Sequence, residues 1–366
     1  MKYFLFSLIS IIPHVGWSQV KSLSYEFEDG EKYSSQIRTK ESYIASMKIM
    51  RPKANQSPTA LAKVNPHLPN LLKDFTKLIE TSEVSSRYKE LYDRKISLIK
   101  RGSYSTQHNF CDCETVLRLK HPETGRIALW VQADMDVVTD GSDPGRSPKI
   151  EDYDLARSSN WFLPGTSYSW ARASTDPANP FLEYYPGAIK ELQAFRETVV
   201  EKQKSDSGVI WREILDTVDS QIYRMKSRGM GSGTRKDLSA RRFLEATKDP
   251  FVVLPVPWVN KSAAWSPQIG DYAAVIYKDK VFPAILGDSG PSDKVGEASL
   301  KIARGINPEA NGRNRAVSDV TVSYIFFPRT ASPRSAPDYA LWRTKVGELL
   351  EDIGGMYHPE KLHSWE

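Results

Sequence analysis

Cysteine is scarce in this chain. Its 366 residues include only two cysteines, Cys111 and Cys113, which are separated by one residue. A disulfide between them would close a very small, strained ring, and a redox motif normally has two intervening residues. We therefore predict a fold that is held together by its hydrophobic core rather than by a disulfide framework. Apolar residues make up 40% of the chain, which is enough for such a core.

Long apolar runs and strong charge of one sign are also missing. No segment reaches the roughly 20 consecutive apolar residues that a membrane-spanning helix needs, so we predict no membrane span. The formal net charge is +5 and the basic residues are scattered, which gives no electrostatic case for a nucleic-acid partner. The Gly-x-Ser-x-Gly signature is absent and disfavours a Ser-His-Asp hydrolase, although such triads also assemble from distant residues.

The first residues are typical of a secretory signal peptide. Lys2 precedes an apolar stretch from Tyr3 to Ile12, and small residues follow before the chain turns polar. We predict that residues 1–18 are a signal peptide and that the protein is secreted, either extracellular or periplasmic. The alternative is an uncleaved N-terminal anchor, which Pro13 disfavours because it interrupts the apolar region.

The hydrophobic pattern divides the remaining chain in two. Residues 19–102 are predicted to form a polar leader followed by a helical annex, because apolar side chains recur at helical spacing over residues 68–99. Residues 103–366 are predicted to form the main domain, with an insertion at about 146–250. Within this insertion, helices are expected near 189–202 and 208–225.

Short strands are predicted in the main domain. Runs at 115–119 and 127–133 are separated by a turn segment and predict one hairpin. Runs at 272–277 and 281–286 predict a second, tight hairpin. A helix is expected at about 294–304, since apolar residues share one face there.

Two acidic residues flank the turn after the second hairpin. Asp288 stands at the end of a strand and Glu297 near the start of the predicted helix, so both are expected to face one crevice. A glycosidase needs two such groups: one protonates the leaving oxygen, and the other activates water or attacks the sugar. The apolar neighbours of Glu297 would raise its pKa and suit it to be the acid. The alternative is structural, with Asp288 capping a turn and Glu297 complementing a helix dipole.

Three sequence blocks occur in a characteristic order in the main domain: GDYAAVIY at 270–277, DSGPSDKVGEAS at 288–299 and VSYIFFP at 322–328. Together they resemble glycoside hydrolase family 75, the fungal-type endo-chitosanases, and the resemblance covers mainly residues 127–144 and 266–330. It implies hydrolysis of the β-1,4 linkages of chitosan with inversion, and Asp288 and Glu297 as the catalytic carboxylates. Spacing alone does not choose between inversion and retention.

The fold class that we predict is α+β, with a mostly antiparallel or barrel-like β core in the C-terminal half, a helical N-terminal annex and a helical insertion.

An acidic segment upstream is similar to an Asp-rich segment of the same family. Asp134, Asp136 and Asp140 are predicted to bind the ammonium groups of glucosamine through charge-assisted hydrogen bonds. Calcium binding and a solvated acidic loop are the alternatives, but the spacing departs from the EF-hand pattern, and we predict no metal site. Aromatic rings can pack against the apolar faces of pyranose units, and among the aromatic residues downstream we select Trp170 as a substrate-binding residue.

The sequence thus predicts a secreted, endo-acting hydrolase of chitosan or a related polysaccharide that uses two carboxylates and needs no organic cofactor. One alternative is a hydrolase of another glycan, such as chitin or peptidoglycan, because the insertion could reshape the cleft. A second alternative is a carbohydrate-binding protein without activity. The pattern carries no prediction of the oligomeric state.

Overall fold

The computed structural model describes residues 50–101, 110–159, 161–206 and 208–366. The chain divides into two compact units, of which the first comprises residues 1–52 and 105–109 and the second comprises residues 53–104 and 110–366. The first unit is described only at residues 50–52. The predicted signal peptide and the leader up to residue 49 therefore lie outside the described residues, and all that follows concerns the second unit.

Four helices form the predicted N-terminal annex: α1 (Pro58–Val64), α2 (Leu68–Leu71), α3 (Phe75–Glu80) and α4 (Ser86–Lys100). Helix α4 begins at the cap residue Ser85, whose hydroxyl accepts a hydrogen bond from the Arg87 amide. Its inner face buries Tyr92, whose hydroxyl donates to the Cys113 carbonyl at 2.7 Å. The same face carries Lys95, which forms a fully buried ion pair with Asp112. These contacts fix α4 against the start of the β core.

Six strands hydrogen-bond in a closed ring, in the order β3 (Ile127–Val138), β10 (Val317–Phe326), β7 (Tyr272–Tyr277), β8 (Lys280–Gly290), β6 (Phe251–Pro255) and β9 (Glu297–Ser299). Strand β9 closes the ring by pairing with the end of β3. Strands β2 (Cys113–Lys120) and β1 (Glu83–Val84) extend the sheet beyond β3. All pairs are antiparallel except β3 with β9 and β6 with β8. The predicted barrel-like, mostly antiparallel core is confirmed.

Both predicted hairpins are present and their inward faces make the core. The β2–β3 pair and the β7–β8 pair are antiparallel, and the β7–β8 turn contains Lys278 with a positive φ of 51°. The largest buried side chains include Trp130 on β3, Phe282 on β8 and Tyr324 on β10. Burial of each such ring stabilises the fold by roughly 1.5–3 kcal/mol. The barrel is therefore held by packing, and the buried Cys113 is a free thiol.

The helical insertion has its own small core. It contains α5 (Asp154–Arg157), β4 (Ser169–Ala171), α6 (Phe181–Ser205), α7 (Val209–Arg224), a π-helical turn (Met225–Gly229), α8 (Ser232–Ala240) and β5 (Arg241–Phe243). The first predicted helix begins at Phe181 rather than near residue 189 and includes Pro186. The side chain of Asn179 accepts from the Phe181 amide, and Phe181 and Tyr185 are buried together, which outweighs the unfavourable proline.

The helix expected at 294–304 is partly wrong. Helix α9 (Leu300–Ile306) begins three residues after Glu297, and the hydroxyl of Ser299 caps it by accepting from the Ile302 amide. Glu297 lies instead in β9, between β3 and β6. The chain ends with α10 (Tyr339–Glu351) and a short turn of 3-10 helix. In the described part of the chain, no helix has the length and apolar character required to cross a membrane.

Candidate active site

Asp288 and Glu297 lie on either side of strand β6. Val253 of β6 is the register partner of both residues, of Asp288 on β8 and of Glu297 on β9. Two strand spacings of about 4.8 Å place the two Cα atoms roughly 10 Å apart. A Cβ atom added at Gly290 would lie 2.5 Å from Glu297 Oε2 and 3.1 Å from Val253 Cγ1. The side chains of Glu297 and Val253 therefore point to the same side of the barrel wall, and the missing side chain at Gly290 leaves space for the carboxyl group.

Asp288 is held by hydrogen-bond donors from one neighbouring loop and from its own strand. Its Oδ1 atom accepts from the Ser167 amide at 2.9 Å, from the Ser167 hydroxyl at 2.5 Å and from the Ser289 amide at 2.7 Å. Burial raises the pKa of Asp288, and these hydrogen bonds oppose that rise. A register shift in the β6–β8 pair immediately precedes Asp288, and such irregularities change the direction of a side chain.

Glu297 is the more strongly perturbed acid. Its side chain is 12% exposed, and the ammonium group of Lys294 lies 3.8 Å from Oε1. Burial raises the pKa of Glu297 to about 7; Lys294 opposes the rise, and the negative charges of Asp136 and Asp288 add to it. Near neutral pH this carboxyl group is therefore poised to hold and release a proton.

Asp134 and Asp136 share the guanidinium group of Arg315. The Arg315 Nη1 atom lies 3.0 Å from Asp134 Oδ2, and its Nε atom lies 3.0 Å from Asp136 Oδ1. Asp136 is the register partner of Glu297 on β9, and its side chain is 14% exposed. Asp134 is fully buried, and burial raises its pKa to about 9. That burial argues against direct contact between Asp134 and a sugar, whereas Asp136 reaches the surface beside Glu297.

Asp140 completes the acidic cluster. It is half-buried, and its Oδ1 atom accepts from the Leu163 amide at 2.8 Å. Burial and the negative charges of Asp288 and Glu297 raise its pKa well above the usual range, so it lies near both carboxylates. The structure thus brings Asp136 and Asp140 together with Asp288 and Glu297. Among the described residues, no group of three or more His, Cys, Asp or Glu side chains is arranged to hold a metal ion.

The sequence profile described as fungal chitosanase of glycosyl hydrolase group 75 matches residues 135–355. The chain belongs to this family. It is therefore a chitosanase-like glycoside hydrolase, as the resemblance predicted, and its substrate class is glycan. The match covers more than half of the chain and includes Asp136, Asp140, Asp288 and Glu297. No curated protein matches the chain.

Two tryptophans of the insertion, Trp170 and Trp161, differ in their exposure. Trp170 lies on β4, is 8% exposed, and packs against the guanidinium of Arg242 at 5.5 Å. Trp161 is 58% exposed, and the guanidinium of Arg224 lies 4.0 Å from its ring centroid. The charge of Arg224 slightly opposes the rise in the pKa of Asp140. Substrate binding by Trp170 stays a prediction, and Trp161 presents the more exposed ring of the two.

Sequence reasoning missed the residues that modulate the acids. Ser167, Arg224 and Arg315 come from three separate segments, and each contacts or lies near a different carboxylate. Pattern and spacing carry no signal for such long-range contacts. Lys294 is the exception, since it lies three residues before Glu297 and its charge could have been noted from the sequence.

Proposed function

We propose that this family 75 hydrolase is a secreted endo-chitosanase that cleaves β-1,4 linkages between glucosamine units with inversion. The observation that carries the proposal is the placement of Asp288 and Glu297 on strands that flank the same β6 residue, Val253. Inverting enzymes separate their two carboxyl groups by about 6.5–9.5 Å, whereas retaining enzymes separate them by about 5–5.5 Å. Inversion is what the resemblance to the family implies, and it requires room for a water molecule between the two carboxyl groups.

In the proposed reaction, Glu297 is the general acid and Asp288 the general base. Protonated Glu297 donates its proton to the glycosidic oxygen as the bond to the anomeric carbon breaks. Asp288, whose Oδ1 atom already accepts three hydrogen bonds, takes a proton on Oδ2 from the water that attacks the opposite face of the sugar. The leaving group departs as a new chain end, and the other product carries the inverted configuration.

The charges around the pair favour a cationic polymer. Asp136 and Asp140 are proposed to bind ammonium groups of glucosamine through charge-assisted hydrogen bonds. Trp161 is proposed to stack on a pyranose face. Asp134 supports this site indirectly, because it holds Arg315 against Asp136.

Secretion and the domain division are further parts of the proposal. We propose that residues 1–18 direct export and that residues 19–102 are a leader and annex to a catalytic domain over residues 103–366. The insertion at about 146–250 is proposed to shape one side of the cleft, because it contributes Trp161 and Arg224.

The test is release of reducing ends from soluble chitosan by the purified protein. Wild type should release them, and Glu297→Gln and Asp288→Asn should lose nearly all activity while keeping the wild-type circular dichroism spectrum. The exposed residue Glu309 offers a matched control, and Glu309→Gln should keep full activity. The anomer formed first, followed by proton NMR, distinguishes inversion from retention.

Two results would contradict the proposal. Full activity in Glu297→Gln would remove this residue from the reaction. Glycan retention without any reducing ends, tested on chitosan, chitin and peptidoglycan, would indicate a binding protein, and release from chitin or peptidoglycan alone would reassign the substrate.

A further inference from the structure

The hydroxyl group of Tyr324 reaches the residue that precedes Glu297. Tyr324 lies on β10 and its side chain is buried. The hydroxyl donates to the carbonyl oxygen of Asp134 on β3 at 2.8 Å, and the carbonyl oxygen of Gly296 lies 3.3 Å away. A hydroxyl group has one proton to donate, so the two carbonyl groups share it. Tyr324 therefore ties β3 to the start of β9.

Gly296 lies unusually close to β3. Its φ of +77° is in the left-handed region, and a Cβ atom at this position would collide with the carbonyl oxygen of Asp134. The Gly296 carbonyl also accepts from the Asp136 amide at 2.8 Å. This carbonyl belongs to the planar peptide group that leads into Glu297. The amide of Asp136 and the hydroxyl of Tyr324 therefore fix the direction in which the chain enters β9.

Strand β9 has few other backbone restraints. It contains three residues, pairs with β3 over all three and pairs with β6 only at Glu297 and Ala298. A strand this short has few ladder hydrogen bonds, so one side-chain hydrogen bond at its first peptide group is a substantial share of what holds it.

The hydroxyl of Tyr324 is a permanent donor. Burial raises the pKa of Tyr324 well above its usual range, and the negative charges of Asp134, Asp136 and Glu297 add to the rise. Tyr324 is thus a neutral group close to the acids. The charged groups that act on Glu297 come from β3, from β8 and from the preceding loop, and they are Asp136, Asp288, Asp293 and Lys294.

We propose that Tyr324 is a positioning residue of the reaction, whose hydroxyl holds the Gly296–Glu297 peptide group against β3 and so keeps the carboxyl group of Glu297 in place beside Asp136. The inference rests on the proposed function of Glu297 as the acid. Without the hydroxyl, the start of β9 moves and water reaches the carboxyl group. The pKa of Glu297 then falls from about 7 toward its unperturbed value of 4.5, because burial is the main cause of the rise.

The experiment compares Tyr324→Phe with the matched control Tyr272→Phe. Tyr272 lies on the neighbouring strand β7, both side chains are 2% exposed, and the Tyr272 hydroxyl is hydrogen-bonded to the Ser332 hydroxyl at 2.8 Å. Each variant keeps its aromatic ring and loses one hydrogen-bonded hydroxyl. For both variants and wild type, kcat and KM on chitosan are measured as a function of pH, and the urea midpoint is measured as well.

Tyr324→Phe should lower kcat by about tenfold with little change in KM, because a small displacement of a reacting group is costly to the rate. The basic limb of its kcat profile should move down by about one pH unit, in step with the pKa of Glu297. Tyr272→Phe should lower the urea midpoint by a similar amount and leave both kcat and the basic limb unchanged.

A second measurement needs no activity. In protein labelled with ¹³C at the glutamate side-chain carboxyl groups, the Glu297 signal is identified by its absence from Glu297→Gln. Its pKa, read from the chemical shift, should be about one unit lower in Tyr324→Phe than in wild type and unchanged in Tyr272→Phe.

The other outcomes overturn defined statements. Wild-type kcat in Tyr324→Phe would remove this residue from the reaction. A loss of kcat with no movement of the basic limb or of the Glu297 titration would assign the hydroxyl to stability alone, as would a failure of Tyr324→Phe to fold. If wild type cleaves no glycan, the proposed function fails. The effect of Tyr324 on the carboxyl group is then decided by the NMR titration, and equal pKa values in Tyr324→Phe and wild type overturn it.

Discussion

The raised pKa of Glu297 should make the free energy of unfolding depend on pH. The pKa is about 7 in the folded protein, whereas an unperturbed glutamate, which represents the unfolded chain, has a pKa of 4.5. The folded state thus binds the Glu297 proton more tightly than the unfolded state does. The stability that this proton contributes is fully present below pH 4.5 and is lost as the pH rises through 7. A pKa difference of about 2.5, at about 1.36 kcal/mol for each pH unit, gives a loss of about 3 kcal/mol at pH 8. Glutamine has no proton to lose. The free energy of unfolding of Glu297→Gln minus that of wild type should therefore be about 3 kcal/mol larger at pH 8 than at pH 4.

Urea unfolding at pH 4 and pH 8, followed by tryptophan fluorescence, measures this difference. The exposed control Glu309→Gln should show the same stability relative to wild type at both pH values. A stability difference between Glu297→Gln and wild type that is equal at pH 4 and pH 8 would refute the reasoning. It would mean that the proton on Glu297 is bound no more tightly in the folded protein than in the unfolded one.

Four further predictions concern the proposed acid–base pair, glycan stacking and the buried core. Ser167→Ala removes a donor from Asp288, so the pKa of that carboxyl group should rise, and the acidic limb of the pH profile of kcat should move upward by about one unit. If Glu297 is the acid, the same profile should fall above about pH 7, and a flat profile from pH 6 to 9 would contradict this. Trp161→Ala should raise KM for chitosan by about threefold to tenfold and leave kcat nearly unchanged in steady-state assays. Lys95→Met breaks a fully buried ion pair and should lower the free energy of unfolding in urea by about 3–5 kcal/mol.

The strands of the two hairpins could be predicted because their signals are local. Short apolar runs and turn residues lie within one short segment in β2–β3 and in β7–β8. The strand that contains Glu297 could not be predicted in this way. It has only three residues, and it is formed by pairing with β3 on one side and β6 on the other. In addition, the apolar spacing of the following residues predicts a helix that is longer than the one observed.

That Asp288 and Glu297 lie near each other could be predicted from the sequence, whereas the exposure of individual side chains could not. Asp134 and Asp136 lie two residues apart on β3, so the period-two pattern predicts the same exposure for both. Asp134 is nevertheless fully buried, whereas Asp136 is partly exposed. Gly296, with φ of +77°, passes so close to Asp134 that an added Cβ atom would lie 2.4 Å from the Asp134 carbonyl oxygen. The difference in exposure between Trp161 and Trp170 could not be predicted for a similar reason, because the packing of the insertion decides which ring is covered.

Strand β6 separates the two proposed catalytic acids, and this limits which sequence changes can alter the distance between them. The gap between the two proposed catalytic acids is set by backbone hydrogen bonds on both sides of Val253. Residues in the loop at 291–294 can therefore vary in sequence without altering that gap. Under the proposed inverting mechanism, conversion to the shorter separation of a retaining enzyme would require a change of side-chain length or the loss of a barrel strand. Stereochemistry in this scaffold should be hard to redirect by loop engineering, while substrate preference should remain open to it.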